Sequence, residues 1–187
     1  METSRIEIVP HPQFLEALFA FKSKVSSVFR DVLGLHELSH IAITQINSQQ
    51  EILTFSSTPA MEFNLFSSNL WRFDRTYHAD WIRSCTQTDW QSLYSPSRYD
   101  ELYYLKQIKH RYPIGYSLAA KQDETLFVYS LASTRSCDHT RELFANRYDD
   151  FYKIGQYCSN MLSALFIDFD SELLESLQAQ VEYETSN

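Results

Sequence analysis

Apolar positions along this chain change period several times, and each change marks an element. Residues 12 to 33, PQFLEALFAFKSKVSSVFRDVL, place Phe14, Leu18, Phe21, Val25, Val28, Phe29 and Val32 on one helical stripe. Pro12 suits the first turn, and Gly34 stands where a helix C-cap belongs. LSHIAITQIN and EILTFSS then alternate with period two around the turn NSQQ, which predicts a hairpin over residues 38–46 and 51–57. From 58 to 110 the chain turns to short helical or irregular pieces dense in aromatic residues. A longer helix is predicted at about 96–110, opened by Ser95 and Pro96. A second hairpin is predicted over 114–121 and 125–132, around Gln122-Asp123-Glu124. A helical stretch starts at about 138 and buries Phe151, Ile154, Cys158, Met161, Leu162 and Leu165. Gly155 is costly inside that helix, so close packing against the sheet is its expected reason. The last segment is amphipathic through Leu174, Leu177 and Val181, with a cap expected at Asp170 or Ser171.

The order α, β-β, aromatic helical insert, β-β, α, α predicts an α/β/α sandwich. Its antiparallel sheet is of the PAS/GAF-like kind, with helices on both faces. The insert is the natural wall of a ligand cavity on one sheet face. Residues 1–169 form the sandwich, and 170–187 a C-terminal linker or dimerisation helix too short for a stable coiled coil alone.

Composition narrows the functional classes. At 187 residues with 13 Phe, 12 Tyr and 3 Trp, the chain is long enough to bury a sizeable aromatic core. No run is apolar enough to cross a membrane, and the N-terminus lacks signal-peptide features. Cys85, Cys137 and Cys158 have no CxxC spacing, which fits reduced thiols in a cytoplasmic protein. A net charge of −8 makes the chain by itself a poor nucleic-acid binder. The basic run KQIKHRY at 106–112 reads as a solvated helix end, with Lys106 on the surface.

One stretch carries the pattern of a zinc hydrolase: His36-Glu37-x-x-His40. On a helix, two His four apart would grip one Zn²⁺, with Glu51 or Glu62 as a third ligand. The motif instead falls across a helix cap and the start of a strand. There, residues four apart lie about 13 Å from each other, too far to share an ion held at roughly 2 Å. The expectation is therefore no metal, no cofactor and no catalysis.

A long first helix, LGLHELSHIAI entering the first strand, Pro59 opening the insert, an acidic residue at 74–80, Trp90, and Gly115 in YPIGYSLA together resemble a known family. They are similar, over roughly residues 12–168, to the N-terminal signal-binding domain of LuxR-type quorum-sensing regulators. The resemblance implies an α/β/α sandwich enclosing an acyl-homoserine lactone. It also implies an Asp that accepts the ligand amide N–H, with a Tyr and a Trp of the insert on its carbonyls. By position the Asp is Asp74, or else Asp80, and Trp90 and Gly115 match directly. Where the family's Trp and Tyr are expected, this chain has Phe63 and Phe66, which cannot donate a hydrogen bond. That points to a more apolar signal. Trp71 and Tyr77 complete the candidate ligand-binding set.

The functional reading is a ligand-sensing domain of a LuxR-type transcription regulator. It would be a homodimer, reaching DNA only through a helix-turn-helix module that this chain does not contain. The alternatives are a ligand-free dimerisation domain and, second, the zinc hydrolase built on HELSH.

Overall fold

The computed structural model describes residues 7–186, and residues 170–181 by backbone alone. A six-stranded sheet forms the middle layer, in the order β1-β3-β2-β6-β5-β4. The strands are β1 (Val9–Pro10), β2 (His40–Ile46), β3 (Glu51–Ser56), β4 (Gln87–Asp89), β5 (Ile114–Gln122) and β6 (Thr125–Ser133). β1 pairs parallel with β3, and the other pairings are antiparallel. Both predicted hairpins are present within two residues of their expected limits. β1 and β4 are the additions, at two and three residues too short to show a period in sequence.

One sheet face is covered by α2 (Lys22–Arg30), α7 (Asp138–Asn146) and α8 (Tyr148–Thr185). The predicted first helix is broken in two: α1 (Phe14–Ala17) precedes α2, and Phe21 between them has φ 55°. The helix expected from 138 onward is interrupted at Arg147 (φ −105°, ψ 37°), between α7 and α8. The cap expected at Asp170 or Ser171 is replaced by continuous helix, because α8 runs 38 residues to Thr185. Leu174, Leu177 and Val181 lie outside the residues whose side chains are described. Gly155 does approach the sheet as its position predicts. A Cβ there would stand 2.1 Å from the ring of Tyr129 on β6.

The other face is covered by the insert: α3 (Pro59–Ser67), α4 (Ala79–Ile82), α5 (Trp90–Leu93) and α6 (Tyr99–Tyr103), with intervening tight turns. α6 continues into a π-helical turn over Tyr104–Lys109. Register explains why this face can take so thick a layer. The row Ser56, Ala42, Ser130, Ser117 crosses four strands toward the insert, while the next row, Phe55, Ile43, Tyr129, Leu118, points to α2 and α8. Alternation along each strand thus puts small side chains on one face and large ones on the other. The insert fills the space above the small ones with Trp71, Trp81, Trp90, Tyr77 and Tyr94.

Among the described residues, no helix is long and apolar enough to cross a membrane. Cys85 and Cys137 are exposed and Cys158 is buried; all three are free thiols.

Candidate functional site

The insert side of the sheet buries charge. Asp74 follows a 3-10 turn (Leu70–Phe73) and caps the next one (Arg75–Tyr77), its Oδ1 accepting the Thr76 N–H at 3.0 Å. The Thr76 hydroxyl shares a 2.9 Å hydrogen bond with Ser117 of β5, which fixes the turn to the sheet floor. Asp74 is fully buried, and its Oδ2 accepts a 2.6 Å hydrogen bond from the Lys106 ammonium. Lys106 is 3% exposed, contrary to the solvated position its sequence neighbourhood predicts. The cause is local geometry. Leu105 and Lys106 continue the buried stripe of Leu102, and the π turn brings Gln107 inward beside them.

The ammonium is boxed by aromatics. It lies 4.4 Å from the centroid of a Trp90 ring and 5.5 Å from that of Tyr94, in cation–π range of both. The Tyr94 hydroxyl donates to Gln107 at 2.9 Å, tying the π turn to the loop after α5. Trp90 follows Asp89, whose carboxylate caps α5 through Ser92 N–H at 3.1 Å. The indole lies on Gly115, where a Cβ would stand 2.2 Å away. Glycine is required there for close approach, not for its backbone angles. The indole N–H is buried and has no hydrogen-bond partner among the described residues.

A second polar pair sits beside the first. His40 of β2 and Glu62 of α3 are both buried, with Nε2 to Oε1 at 3.6 Å. His40 Nδ1 is 3.0 Å from the Thr58 hydroxyl, which in turn lies 2.6 Å from the Tyr112 hydroxyl. Burial, helped by the positive charge of Lys106, pushes the His40 pKa down to about 3. Burial raises that of Glu62 to about 7, against the opposing pull of Ser56 and Lys106. Burial also raises the hydroxyls of Tyr77 and Tyr94 well above their ordinary range. Glu62 Oε2 has no hydrogen-bond partner among the described residues.

The HELSH motif is dispersed by this arrangement. His36, at φ 49° in a 3-10 turn, packs against Phe151 of α8 and lies 3.9 Å from Asp150, on the helix side. His40 faces Trp90 and Tyr112 on the insert side. Glu37 pairs with Arg135 at 2.9 Å. The two histidines cannot grip one ion from opposite layers.

Of the sequence candidates, Asp74, Trp90, Phe66, Trp71, Tyr77 and Gly115 are brought into this buried layer. Phe66 is sandwiched between Phe14 (4.0 Å between centroids) and Trp71 (5.5 Å). Phe63 is not among them. It is 39% exposed on the outer side of α3, edge-on to Phe19. Asp80 is also exposed, at the rim of a cleft of about 330 Å³ that Trp71, Tyr77 and Ile8 share. Two further clefts, of about 380 and 490 Å³, lie against α7 and α2. None of the three has Asp74, Trp90 or Lys106 in its lining. Sequence reasoning missed Lys106 and gave Glu62 and His40 a different role. One signal for Lys106 was its place four residues after Leu102, on that segment's buried stripe.

No family model matches the chain, and no curated protein matches it. Solved structures do. A crystal structure of Escherichia coli SdiA aligns with a TM-score of 0.52 at 11% identity, over 75% of this chain and 61% of that one. SdiA in complex with octanoyl-rac-glycerol aligns with a TM-score of 0.52 at 10% identity, over 81% of this chain and 62% of that one. The chain spans about three fifths of the length of these structures. At such identities the likeness establishes the fold: this chain has the α/β/α architecture that SdiA also has.

Proposed function

We propose that this chain is the sensory domain of a LuxR-type regulator, acting in the cytoplasm. It binds a small, largely apolar molecule between the sheet and the insert. Binding biases dimerisation, or the setting of a DNA-binding module attached to it or supplied by a partner. Residues 1–169 are the sensory sandwich, and 170–187 the linker or dimer helix. The observation that carries this reading is the insert folded over a small-residue sheet face, which buries Asp74, Trp90, Phe66, Trp71 and Tyr77 together. The same fold in SdiA, a LuxR-type quorum-sensing receptor solved with octanoyl-rac-glycerol, supports it. Trp90 Nε1 and Glu62 Oε2 offer a donor and an acceptor to the ligand's polar end. The separation of His36 from His40 supports binding over catalysis.

The test is a melting-temperature panel of octanoyl-rac-glycerol, acyl-homoserine lactones and plain fatty derivatives. A ligand at a hundred times its Kd contributes about 2.7 kcal/mol, or about 5–10 °C for a chain of this size. No shift across the panel sinks the proposal. A second reading, a dimerisation domain without ligand, is favoured by the Lys106–Asp74 pair, which satisfies the carboxylate internally. Light scattering showing a dimer that no panel member perturbs would select it.

A further inference from the structure

Asp74 is the acceptor that the sensory reading assigns to a ligand N–H, yet both of its oxygens are already engaged. Oδ1 takes the Thr76 N–H at 3.0 Å, and Oδ2 takes Lys106 at 2.6 Å. The cation is not a chance visitor from the surface. Its stem is buried, its ammonium lies over Trp90 and Tyr94, and a π-helical turn held by Tyr94 and Gln107 delivers it. π turns are rare and gather at functional sites. A full positive charge at this distance outcompetes a neutral amide N–H for the same oxygen, because it adds to the hydrogen bond a charge–charge attraction that a neutral donor lacks.

We propose that Lys106 is a built-in ligand of the Asp74 carboxylate. It holds the insert closed in the absence of any signal, and it bars from the interior molecules that would be recognised through an N–H donor. The consequence for ligand class rests on the sensory reading above; the internal occupancy does not. Removing the lysine side chain beyond Cβ leaves a buried carboxylate facing a space the shape of propylammonium, its lost Cγ to Nζ. That variant should therefore be weak alone and restorable by a small cation.

The experiment uses the full chain carrying Lys106→Ala. We expect its melting temperature to fall by about 10 °C, the effect of breaking a buried ion pair in a domain of this size. n-Propylammonium should recover several degrees, and 1-propanol at matched ionic strength much less; neither should move the parent. N-Hexylacetamide, an apolar tail with one amide N–H, should raise the melting temperature of Lys106→Ala and not of the parent. An unchanged melting temperature in Lys106→Ala overturns the proposal. So does an equal response to propylammonium and propanol, or a shift of the parent by the amide as large as that of the variant. If Lys106→Ala does not fold, Lys106→Met alone should melt well below the Asp74→Asn/Lys106→Met double variant. Equal melting of those two also overturns it. Failure of the sensory reading looks different: the parent answers to no panel ligand while propylammonium still restores Lys106→Ala.

Discussion

On the helix side of the sheet, Ile41, Ile43, Leu53, Phe55, Leu118, Phe127 and Leu131 meet Phe29, Phe144, Phe151, Leu162 and Phe166 in a continuous apolar layer. On the insert side the same strands turn Ala42, Thr44, Thr54, Ser117, Ser130 and Ala132 toward three tryptophans, two ion-pair partners, a histidine and a glutamate. Both sides are closely packed, but they are held by different forces. The helix side depends on area and volume, so it tolerates no loss of size, and burial keeps its Cys158 thiol and Tyr129 hydroxyl protonated. The insert side depends on charges that must stay matched, so a loss there can be answered by removing the partner. Under the proposed function the two differ as scaffold face and recognition face, one supplying stability and the other the site.

The largest expected effects separate the two faces by their response to a second change. Phe151→Ala should cost about 3–5 kcal/mol by leaving a cavity. Asp74→Ala should cost a similar 3–5 kcal/mol, for a different reason: it strands the Lys106 ammonium in the interior. Adding Lys106→Met to Asp74→Ala should recover most of that loss, since an apolar pair can match or exceed a buried ion pair. No change of polarity should recover Phe151→Ala. Urea midpoints of the four proteins decide it, and if Asp74→Ala alone is as stable as the parent, the comparison between the faces is wrong.

The helix face was legible in sequence because period and volume are local. The stripe through Val25, Val28, Phe29 and the one through Phe151, Ile154, Cys158, Leu162 can each be counted within one segment, although Phe21 and Met161, expected on the same stripes, are exposed. Even the close approach of Gly155 followed from a residue out of place in its helix. The insert face was legible only in outline. Its aromatic density marked it as a wall, and Asp74, Trp90 and Gly115 were found by their resemblance to a family pattern. Lys106 was hidden because its partner is 32 positions away, on another segment of the chain. A lysine in the run KQIKHRY is read as solvated on average statistics, and here the tertiary partner overrides them. The sequence pairs His40 and Glu62 only around a metal. In the fold they meet without the third member, because His36 turns to the other side at a left-handed backbone position.

Acidity should act on the insert face and spare the helix face. Glu62 has a folded pKa of about 7 against an ordinary 4.5, so the folded state holds a proton the unfolded chain has lost. Its contribution is full below about pH 4.5 and vanishes as pH rises through 7. His40 has a folded pKa of about 3 against 6.5, so its contribution is present above 6.5 and lost as pH falls toward 3. Between about 4.5 and 6.5 the two slopes cancel, which gives a plateau of stability flanked by a fall on each side. Glu62→Gln should remove the alkaline fall, worth about 0.7 kcal/mol between 6.5 and 7 by the 1.36 kcal/mol per pKa unit rule, and should turn the plateau into a rise with pH. His40→Phe should remove the acid one. A parent profile with the same alkaline slope as Glu62→Gln would count against the assignment.

A smaller effect tests whether both faces are equally tight. Gly155→Ala puts a methyl 2.1 Å from Tyr129, and Gly115→Ala puts one 2.2 Å from Trp90. Each must displace a buried ring and should cost about 1–3 kcal/mol. The loss at Gly155 is reduced by the better helix propensity of alanine, roughly 1 kcal/mol. Gly115→Ala should also shift tryptophan fluorescence, because the indole it moves is Trp90, while Gly155→Ala should not. If Gly115→Ala melts with the parent and leaves the fluorescence unchanged, the insert is looser than its contacts indicate.

The smallest effect bears on the two family-derived positions that the fold leaves outside. Phe63 is 39% exposed and touches Phe19 edge-on at 5.8 Å, so Phe63→Ala loses one partly solvated aromatic contact. Such contacts are worth about 0.5–1.5 kcal/mol when well formed, and exposure discounts this one to under about 1 kcal/mol. Asp80 is exposed in the first turn of a four-residue helix, and Asp80→Ala should stay within about 0.5 kcal/mol. Phe66→Ala makes the contrast three residues away. Its ring is 6% exposed between Phe14, Trp71 and Tyr77, and its removal should cost about 3–5 kcal/mol. The same ranking should hold for any ligand that the parent binds. Phe66→Ala should abolish its stabilisation, while Phe63→Ala and Asp80→Ala should leave it within experimental error. If Phe63→Ala weakens a bound ligand as much as Phe66→Ala does, α3 must rotate on binding and turn its outer side inward. The insert face would then be a moving wall, not the fixed counterpart of the helix face.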